Sequence, residues 1–238
     1  MAVRTRTSHT GLSETVEDYI RAIDALHAED DGPFVPTGRL AARLRVSPAS
    51  ASAMIKKLAQ LGLAEHAPYK GVALTEGGEC VALELMRHHR LLELFLAEHL
   101  DVPADQVHAE ADRLAPVLSE ELEARMAAKL GHPTHDRNGA PIPTSTLALA
   151  ADVTVCLADL AAGGAGRVAR VLDTNPEIVA YLRELGVNVG VRVEVLDRHP
   201  FAGPVTLRAQ DRDVILGDPL IHAIRIELDA PAAAATPQ

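Results

Sequence analysis

The hydrophobic residues of this 238-residue chain change their dominant spacing once, between residues 142 and 152. Before this point they recur mostly every third or fourth residue, as they do on one face of an α-helix. After it, short runs rich in valine, leucine and isoleucine are separated by turn residues, which is typical of β-strands. The sequence therefore predicts a mainly α-helical protein with a β C-terminal part.

Composition limits the interior that the chain can build. Hydrophobic residues make up 47% of it, aromatic residues only 3%, and tryptophan is absent, so Ala, Leu, Val and Ile must fill the core. No apolar stretch reaches the roughly 18 residues that span a bilayer, and no signal core follows the first arginines. We therefore expect a cytoplasmic protein with no membrane partner. Cys80 and Cys156 form no CxxC pair, which argues against a zinc knuckle.

The first segment, residues 1–77, has the element order of a winged helix-turn-helix. SETVEDYIRAIDALHAE has helical spacing, and TGRLAARLRV and ASASAMIKKLAQLG follow as two helices around a turn at Ser47 and Pro48. Gly62 closes the second of these helices. LAEHAPYKGVALT then predicts two short strands around a turn.

Positive charge concentrates in this segment, although the whole chain has a formal net charge of −10. From residue 39 to residue 70, six basic residues and one acidic residue, Glu65, give a local charge of +5. The second helix of a helix-turn-helix places its first residues against base edges, and nearby cations meet phosphates. The alternative is a solvated surface without DNA. The predicted DNA-binding residues are Arg39, Ser47, Pro48, Ala49, Ser50, Ser52, Lys56, Lys57 and Lys70.

The second segment, residues 78–142, continues the helical spacing and contains MRHHRLLELFL from residue 86. His89 and Glu93 are four residues apart, so they share one face of a helix and could hold one cation together. The alternative is that they form the exposed polar side of a packed helix. His88 points about 100° away from His89 around the helix axis. We predict that His88 lies on the surface.

The third segment, residues 152–229, follows a linker at residues 143–151 and contains five β-type runs and one helix, NPEIVAYLRELG. The runs are GRVARVL, VRVEVLD, PVTLRA, DVILGD and AIRIEL. Roughly five strands in fewer than about 80 residues predict a small closed β-barrel. The last residues, 230–238, are rich in alanine and proline and are predicted to be disordered.

Seven stretches in this order make the chain resemble the diphtheria toxin repressor family of metal-dependent regulators, both the iron type and the manganese type. They are TVEDYI, RLRVSPAS, LTEGG, MRHHRLLE, VHAEADRL, VLSEEL and NGAPIP. The third segment is similar to the small FeoA-like barrel of the same family. The resemblance implies a homodimer that binds palindromic double-stranded operator DNA when it is loaded with a divalent metal, and so represses metal-uptake genes.

A first metal site follows from the resemblance. It would consist of His89, Glu93 and His108, completed by oxygen ligands from the C-terminal segment. Asp173 and Glu177 are the carboxylates nearest to those last ligand positions. Their alternative roles are a turn residue for Asp173 and an acid in the first turn of a helix for Glu177.

A second site implied by the resemblance would join Asp18 to Asp112. The Glu and His that the family places further along the same helix are Ala115 and Pro116 here, and neither has a ligating side chain. An ion held by two carboxylates, carbonyls and water suits Mn(II) better than a softer metal but predicts weak binding. We therefore expect Mn(II) to be favoured over Fe(II).

Other interpretations of these residues remain open. Asp112 could pair with Arg21 or Arg113, and Asp18 could simply favour the start of its helix. The chain could also be a family member with weakened or lost metal gating, or a regulator that responds to a non-metal effector. A metal-dependent hydrolase is disfavoured, because the sequence has no Ser-His-Asp elbow, no phosphate-binding glycine loop and no HExxH. We expect no enzyme activity.

Overall fold

The computed structural model describes residues 12–29, 32–172, 176–201 and 203–229. The chain divides into two compact units, residues 1–134 with 142–150 and residues 135–141 with 151–238. Within the described residues, the first unit contains six α-helices and a two-stranded sheet, and the second contains a six-stranded sheet and two α-helices. The predicted helical part followed by a β part is thus confirmed. No helix in the described ranges is long and apolar enough to cross a membrane.

The first unit begins with the elements of a winged helix-turn-helix. Their bounds are α1 Glu14–Glu29, α2 Thr37–Arg43, α3 Pro48–Gln60, β1 Ala64–Ala67 and β2 Gly71–Leu74. The two strands pair antiparallel and form the wing. The core between the helices is almost entirely aliphatic, as the composition predicted. Its fully buried members include Ile20, Ile23, Leu40, Ile55 and Leu58.

Local sequence explains where α3 begins and ends. The Ser47 side-chain oxygen accepts a hydrogen bond from the backbone nitrogen of Ser50 at 3.1 Å, which caps the helix N-terminus. Pro48 occupies the first turn, where its missing N–H costs nothing. Gly62 follows the helix with a φ of 73°, a left-handed conformation that glycine adopts without strain.

Helix α4, Glu76–His99, connects two cores of the first unit. It has 24 residues, so it is about 36 Å long at the usual rise per residue. Val81 and Leu85 near its start pack into the winged-helix core. Leu92 and Leu96 near its end pack into a second core with the helices that follow. The middle of α4 therefore lies between the two cores.

The helices that follow α4 are separated by a proline. Helix α5 spans Ala104–Leu114, a 3₁₀ turn spans Ala115–Val117, and α6 spans Glu120–Lys129. Pro116 lies in the 3₁₀ turn and cannot donate a backbone hydrogen bond, which explains why α5 ends before it. Ala115 is fully buried in the core with Leu92 and Leu96, so its side chain serves packing.

The second unit is built on an antiparallel sheet with the strand order β3-β8-β4-β5-β6-β7. Its elements are β3 Val155–Cys156, β4 Ala165–Val171, α7 Pro176–Glu184, β5 Arg192–Arg198, β6 Val205–Ala209, β7 Arg212–Leu216, α8 Asp218–Ala223 and β8 Ile224–Leu228. The edge strands β3 and β7 do not pair within the described residues. The predicted closed barrel is therefore not confirmed, because one edge strand has only two residues with which to close the sheet.

Residues 135–141 belong to the second unit although they follow α6 in the chain. The backbone oxygen of Asn138 accepts a hydrogen bond from the backbone nitrogen of Val171 at 2.8 Å. At Gly139, an added Cβ would lie 1.9 Å from the backbone oxygen of Ala169, and the φ of Gly139 is 80°. Only glycine fits at this position. The predicted disordered tail, residues 230–238, lies outside the described residues.

Candidate metal centre and DNA-binding surface

Three predicted ligands meet between α4 and α5. His89 and Glu93 lie on one face of α4, and His108 approaches from α5. One ligand atom from each residue lies within 4.8 Å of the others. Glu93 Oε1 is 2.8 Å from His108 Nδ1 and 3.6 Å from His89 Nδ1. The structure thus brings three residues of the predicted first site together within one unit.

A fourth polar side chain, Asp112, lies on the other side of the two imidazole rings. Asp112 Oδ1 is 3.1 Å from His89 Nε2, and Asp112 Oδ2 is 3.6 Å from His108 Nε2. The rings meet edge to face with their centroids 4.8 Å apart. Each ring therefore turns Nδ1 towards Glu93 and Nε2 towards Asp112.

The two histidines differ in their electrostatic surroundings. Burial lowers the pKa of His89 below its ordinary value, which outweighs the nearby carboxylates of Glu93 and Asp112. The hydrogen bond to Glu93 raises the pKa of His108, against the opposing effect of its partial burial. Burial thus favours the neutral form of His89, the form that ligates a metal, whereas Glu93 favours the protonated form of His108, so a proton there competes with a metal.

The residues present fit a divalent transition metal. Two imidazoles and a carboxylate offer nitrogen and oxygen donors, a set that suits Mn²⁺, Fe²⁺ or Zn²⁺. His89 Nε2 is buried and, in the described part of the chain, accepts or donates no aligned hydrogen bond, although Asp112 Oδ1 is 3.1 Å away. Glu93 and His108 are partly exposed, so an ion can reach the cluster from solvent.

The predicted second site is arranged differently from the first. Asp112 faces the two histidines and also lies 3.6 Å from Nη1 of Arg21 on α1. Burial raises the pKa of Asp18, and the positive charge of Arg21 opposes that rise. Arg113 pairs with Glu110 at 2.8 Å, so of the two predicted partners for Asp112, Arg21 is the one that the structure brings to it.

The prediction that His88 lies on the surface is wrong. Its side chain is fully buried, and its Nε2 is 2.9 Å from Oε2 of Glu123 on α6. The other oxygen of Glu123 accepts a hydrogen bond from Nε of Arg87 at 2.8 Å, and Nη1 of Arg87 donates to the backbone oxygen of Pro143. The position of His88 around the helix was predictable, but the helix that packs against that face was not.

All nine predicted DNA-binding residues are exposed. On α3 the buried positions are Ala51, Ile55 and Leu58, so the residues between them form the outward face of the helix. Ser52 donates to the backbone oxygen of Pro48 at 2.8 Å. The outward face of α3 is therefore free of covering protein in the first unit.

Two of the nine predicted residues, Arg39 and Lys70, lie outside α3 and the turn before it. Arg39 Nη2 forms an ion pair with Oε2 of Glu29 at 3.1 Å, so DNA would compete with that carboxylate for Arg39. Lys70 lies in the exposed turn of the wing beside Tyr69, which is fully exposed with a φ of 64°. Sequence reasoning did not single out Tyr69, although its place beside Lys70 in a hairpin turn was the available signal.

Of the two ligands predicted from the C-terminal segment, only Glu177 lies within the described residues. Glu177 is an exposed residue in the first turn of α7 in the second unit. Asp173 lies outside the described residues.

Three protein-family models match successive parts of the chain. Residues 11–72 match the N-terminal DNA-binding domain of iron-dependent repressors, and residues 75–144 match the metal-binding and dimerisation domain of the same proteins. Residues 155–228 match the FeoA domain. The candidate metal centre, on α4 and α5, lies within the second of these matches.

Whole-chain comparisons agree with the three matches. The diphtheria toxin repressor of Corynebacterium efficiens is 30% identical over 226 residues, which cover 91% of this chain and 96% of the relative. The iron-dependent repressor IdeR of Mycobacterium tuberculosis is 32% identical over 228 residues, 91% of this chain and 98% of the relative.

Solved structures give the same result. A manganese-dependent transcriptional repressor in complex with manganese is 36% identical, with a TM-score of 0.81 over 90% of this chain and 99% of that one. The manganese regulator SloR is 27% identical, with a TM-score of 0.72 over 90% and 98% of the two chains. By sequence, domain order and fold, the chain belongs to the diphtheria toxin repressor family of iron- and manganese-dependent regulators.

Proposed function

We propose that this protein is a metal-dependent transcriptional repressor that binds operator DNA as a homodimer when a divalent metal is bound, and so controls metal-ion homeostasis genes. The observation that carries the proposal is the convergence of His89 and Glu93 of α4 with His108 of α5. The first half of α4 also belongs to the winged-helix core. The relatives named above are repressors rather than enzymes, and no catalytic role is proposed.

The outward face of α3 is the proposed reading surface. Its first turn exposes Ala49, Ser50 and Ser52, small side chains that allow close approach to base edges in the major groove. Lys56 and Lys57 further along α3, with Lys70 in the wing and Arg39 on α2, would contact phosphates. Phosphate contacts of this kind make affinity depend on salt concentration.

Helix α4 provides the proposed coupling between metal and DNA. An ion that draws α5 towards α4 at Glu93 and His108 acts on the helix whose first half packs under the winged helix. Such an ion shifts the population towards the DNA-competent arrangement only by its preference for that arrangement. A 100-fold preference would contribute about 2.7 kcal/mol per site.

We propose Mn(II) as the favoured metal over Fe(II). The donors of the first site are imidazole nitrogen and carboxylate oxygen, and no sulfur ligand lies among the clustered residues of the described ranges. Hard carboxylate oxygens suit Mn²⁺. A manganese-dependent repressor is among the similar solved structures, whereas the curated relatives named above include an iron-dependent one, so the two metals need direct comparison.

The homodimer is proposed to form through the helices that follow α4. Three aliphatic side chains of this region are strongly exposed, Leu114 at 41%, Val117 at 77% and Leu122 at 50%. Exposed aliphatic side chains grouped in one sequence region favour burial against another protein surface. The matched family description assigns dimerisation to the domain that contains them.

The remaining predicted ligands have less support. Asp173 and Glu177 are proposed to add oxygen ligands from the C-terminal segment. A second ion at Asp18 and Asp112 would have to compete with the guanidinium of Arg21. We therefore propose that the first site is the principal one. The proposed domain boundaries are residues 1–77 for the DNA-binding domain, 78–142 for the metal-binding and dimerisation domain, and 152–229 for the FeoA-like domain.

The proposal is tested by operator binding to the protein's own promoter DNA at fixed salt, with chelator and with Mn²⁺, Fe²⁺ or Zn²⁺. We expect metal to tighten binding in the wild type and to have no effect in His89→Ala. His99→Ala is the matched control, because His99 is an exposed histidine of the same helix outside the cluster. Equal binding with chelator and with every metal would overturn the proposal.

A constitutive repressor is the second candidate. It is favoured by one observation, the non-ligating side chains Ala115 and Pro116, of which Ala115 is committed to the core. In that case the wild type would bind operator DNA as tightly in chelator as with metal, and His89→Ala would bind it with the same affinity. The same titration therefore separates the two candidates.

A further inference from the structure

The two carboxylates beside the histidines have different neighbours. Glu93 Oε1 faces the Nδ1 atoms of both rings. Asp112 faces both Nε2 atoms, and its Oδ1 also lies 3.6 Å from the guanidinium of Arg21. A cation on the Asp112 side would therefore sit next to a fixed positive charge.

The spacing on the Glu93 side suits an ion. Two atoms bound to one ion at about 2.1 Å each lie roughly 3 to 3.5 Å apart. The observed separations of Glu93 Oε1 from the two Nδ1 atoms, 2.8 and 3.6 Å, need only small adjustments. Once Nδ1 of each ring is a ligand, the ring proton must be on Nε2, facing Asp112.

We propose that Asp112 is a positioning residue of the first metal site and not the ligand of a second ion. Its oxygens lie 3.1 Å from Nε2 of His89 and 3.6 Å from Nε2 of His108. With an ion on the Nδ1 side, the Nε2 hydrogens of both rings would point towards Asp112, and hydrogen bonds to it would fix the rings in the tautomer whose Nδ1 atoms face Glu93. A ligating histidine commonly donates its other ring N–H to a carboxylate, which orients the ring and strengthens it as a ligand. The inference rests on the proposed function, because it assumes an ion at His89, Glu93 and His108.

Arg21 completes this arrangement from the winged helix. It lies on α1, and its Nη2 is 4.0 Å from the buried Glu17 of the same helix. Its Nη1 approaches Asp112 on α5. The guanidinium thus supplies the positive charge that a second ion would supply at Asp18 and Asp112. The imidazoles, Asp112 and Arg21 would thus link a bound ion to α1.

This arrangement predicts one ion per protomer and a specific effect of Asp112. Removing its carboxylate leaves the ligand atoms unchanged but frees the rings, so metal affinity falls by about 10- to 100-fold. Arg21→Ala should lower metal affinity indirectly, because Arg21 contacts Asp112 and not the ion. Arg21→Lys keeps the positive charge and should lower metal affinity less. Arg113→Ala is the matched control, because Arg113 pairs with Glu110 and not with Asp112.

The experiment is a titration of the full-length protein with Co²⁺, which reports its ligands by visible absorption, together with metal counting. We expect one Co²⁺ per protomer in the wild type. Asp112→Ala and Asp112→Asn should keep the stoichiometry and the shape of the spectrum while binding more weakly. Glu93→Ala, which removes a ligand, should change the spectrum itself. Two Asp112 variants are used so that a folding defect in one of them does not decide the result. Thermal melting shows whether each variant is folded.

Three results would overturn the inference. A spectral change in both Asp112 variants as large as that in Glu93→Ala would make Asp112 a direct ligand. A second ion per protomer that disappears in Asp112→Ala and in Asp18→Ala would restore the two-ion arrangement. Both results leave the proposed function intact, whereas a wild-type protein that binds no Co²⁺ would overturn the proposed function as well.

Discussion

Adjacent histidines on α4 have opposite surroundings. His88 and Arg87 are buried against Glu123, whose two carboxylate oxygens are each taken by one of them at 2.9 and 2.8 Å. His89 faces Glu93 and Asp112 at the edge of the unit, where solvent reaches the carboxylates. The first group is closed to solvent, and the second can still accept an ion. Residue type alone therefore does not identify a metal ligand, whereas accessibility and the number of committed partners do.

The largest expected effect comes from opening the closed group. Glu123→Ala would leave the buried Arg87 guanidinium without its carboxylate, and breaking a buried ion pair in this way costs about 3 to 5 kcal/mol of unfolding free energy. Urea unfolding of the metal-free protein measures this loss. Glu121→Ala is the control, since Glu121 pairs with Arg125 on the exposed side of the same helix. Equal stability of the two variants would show that the buried group is not structural.

The two histidines should give opposite results when each is replaced by alanine. His88→Ala removes a buried partner of Glu123, which costs about 1 to 3 kcal/mol of stability because a carboxylate oxygen loses its hydrogen bond. His89→Ala removes a proposed ligand, and we expect metal affinity to fall by more than about 100-fold, beyond the loss typical of an outer partner. Calorimetric metal titration and unfolding, done on both variants, test the contrast. If both variants lost the same amount of stability and the same amount of metal affinity, the distinction between the two groups would be wrong.

The smallest expected effect is the pH dependence of metal binding. Metal competes with the proton on His108, whose pKa is raised by its hydrogen bond to Glu93. Affinity should therefore weaken as pH falls through that raised pKa, above the usual 6.5 of histidine, by at most about tenfold per pH unit for one displaced proton. Because burial lowers the pKa of His89, protons compete with the metal at His89 only at more acidic pH.

Calorimetry in two buffers of different ionisation enthalpy counts the protons released. We expect proton release near neutral pH in the wild type and unchanged release in His99→Ala. Metal affinity that is flat from pH 8 to pH 6 would contradict the expected competition between metal and proton at His108, and with it the contrast between an open and a closed group on α4.

Local signals predicted the helix-turn-helix well. The Ser47 cap, the following proline and Gly62 act within a few residues of the helix that they limit, so α3 could be placed from its own sequence. The i, i+4 spacing of His89 and Glu93 likewise needs only helix geometry. The closeness of His108 could not be obtained this way, and it was predicted through the family resemblance.

What could not be predicted depends on partners distant in the chain. The burial of His88 is set by Glu123 on α6, and spacing on α4 contains no information about that contact. The pairing of Asp112 with Arg21 was one of two alternatives in the sequence, and the choice between Arg21 and Arg113 depends on how α1 and α5 pack. The open sheet has the same cause, because closure depends on pairing between its first and last strands, and β3 is only two residues long.

The most direct test of the central claim is anomalous diffraction at the manganese absorption edge, from crystals of the wild-type protein grown with Mn²⁺. We predict a manganese peak enclosed by the side chains of His89, Glu93 and His108, with Asp112 on the far side of the imidazole rings. Imidazoles of His89 and His108 that face water, with no peak between them in abundant Mn²⁺, would contradict the account.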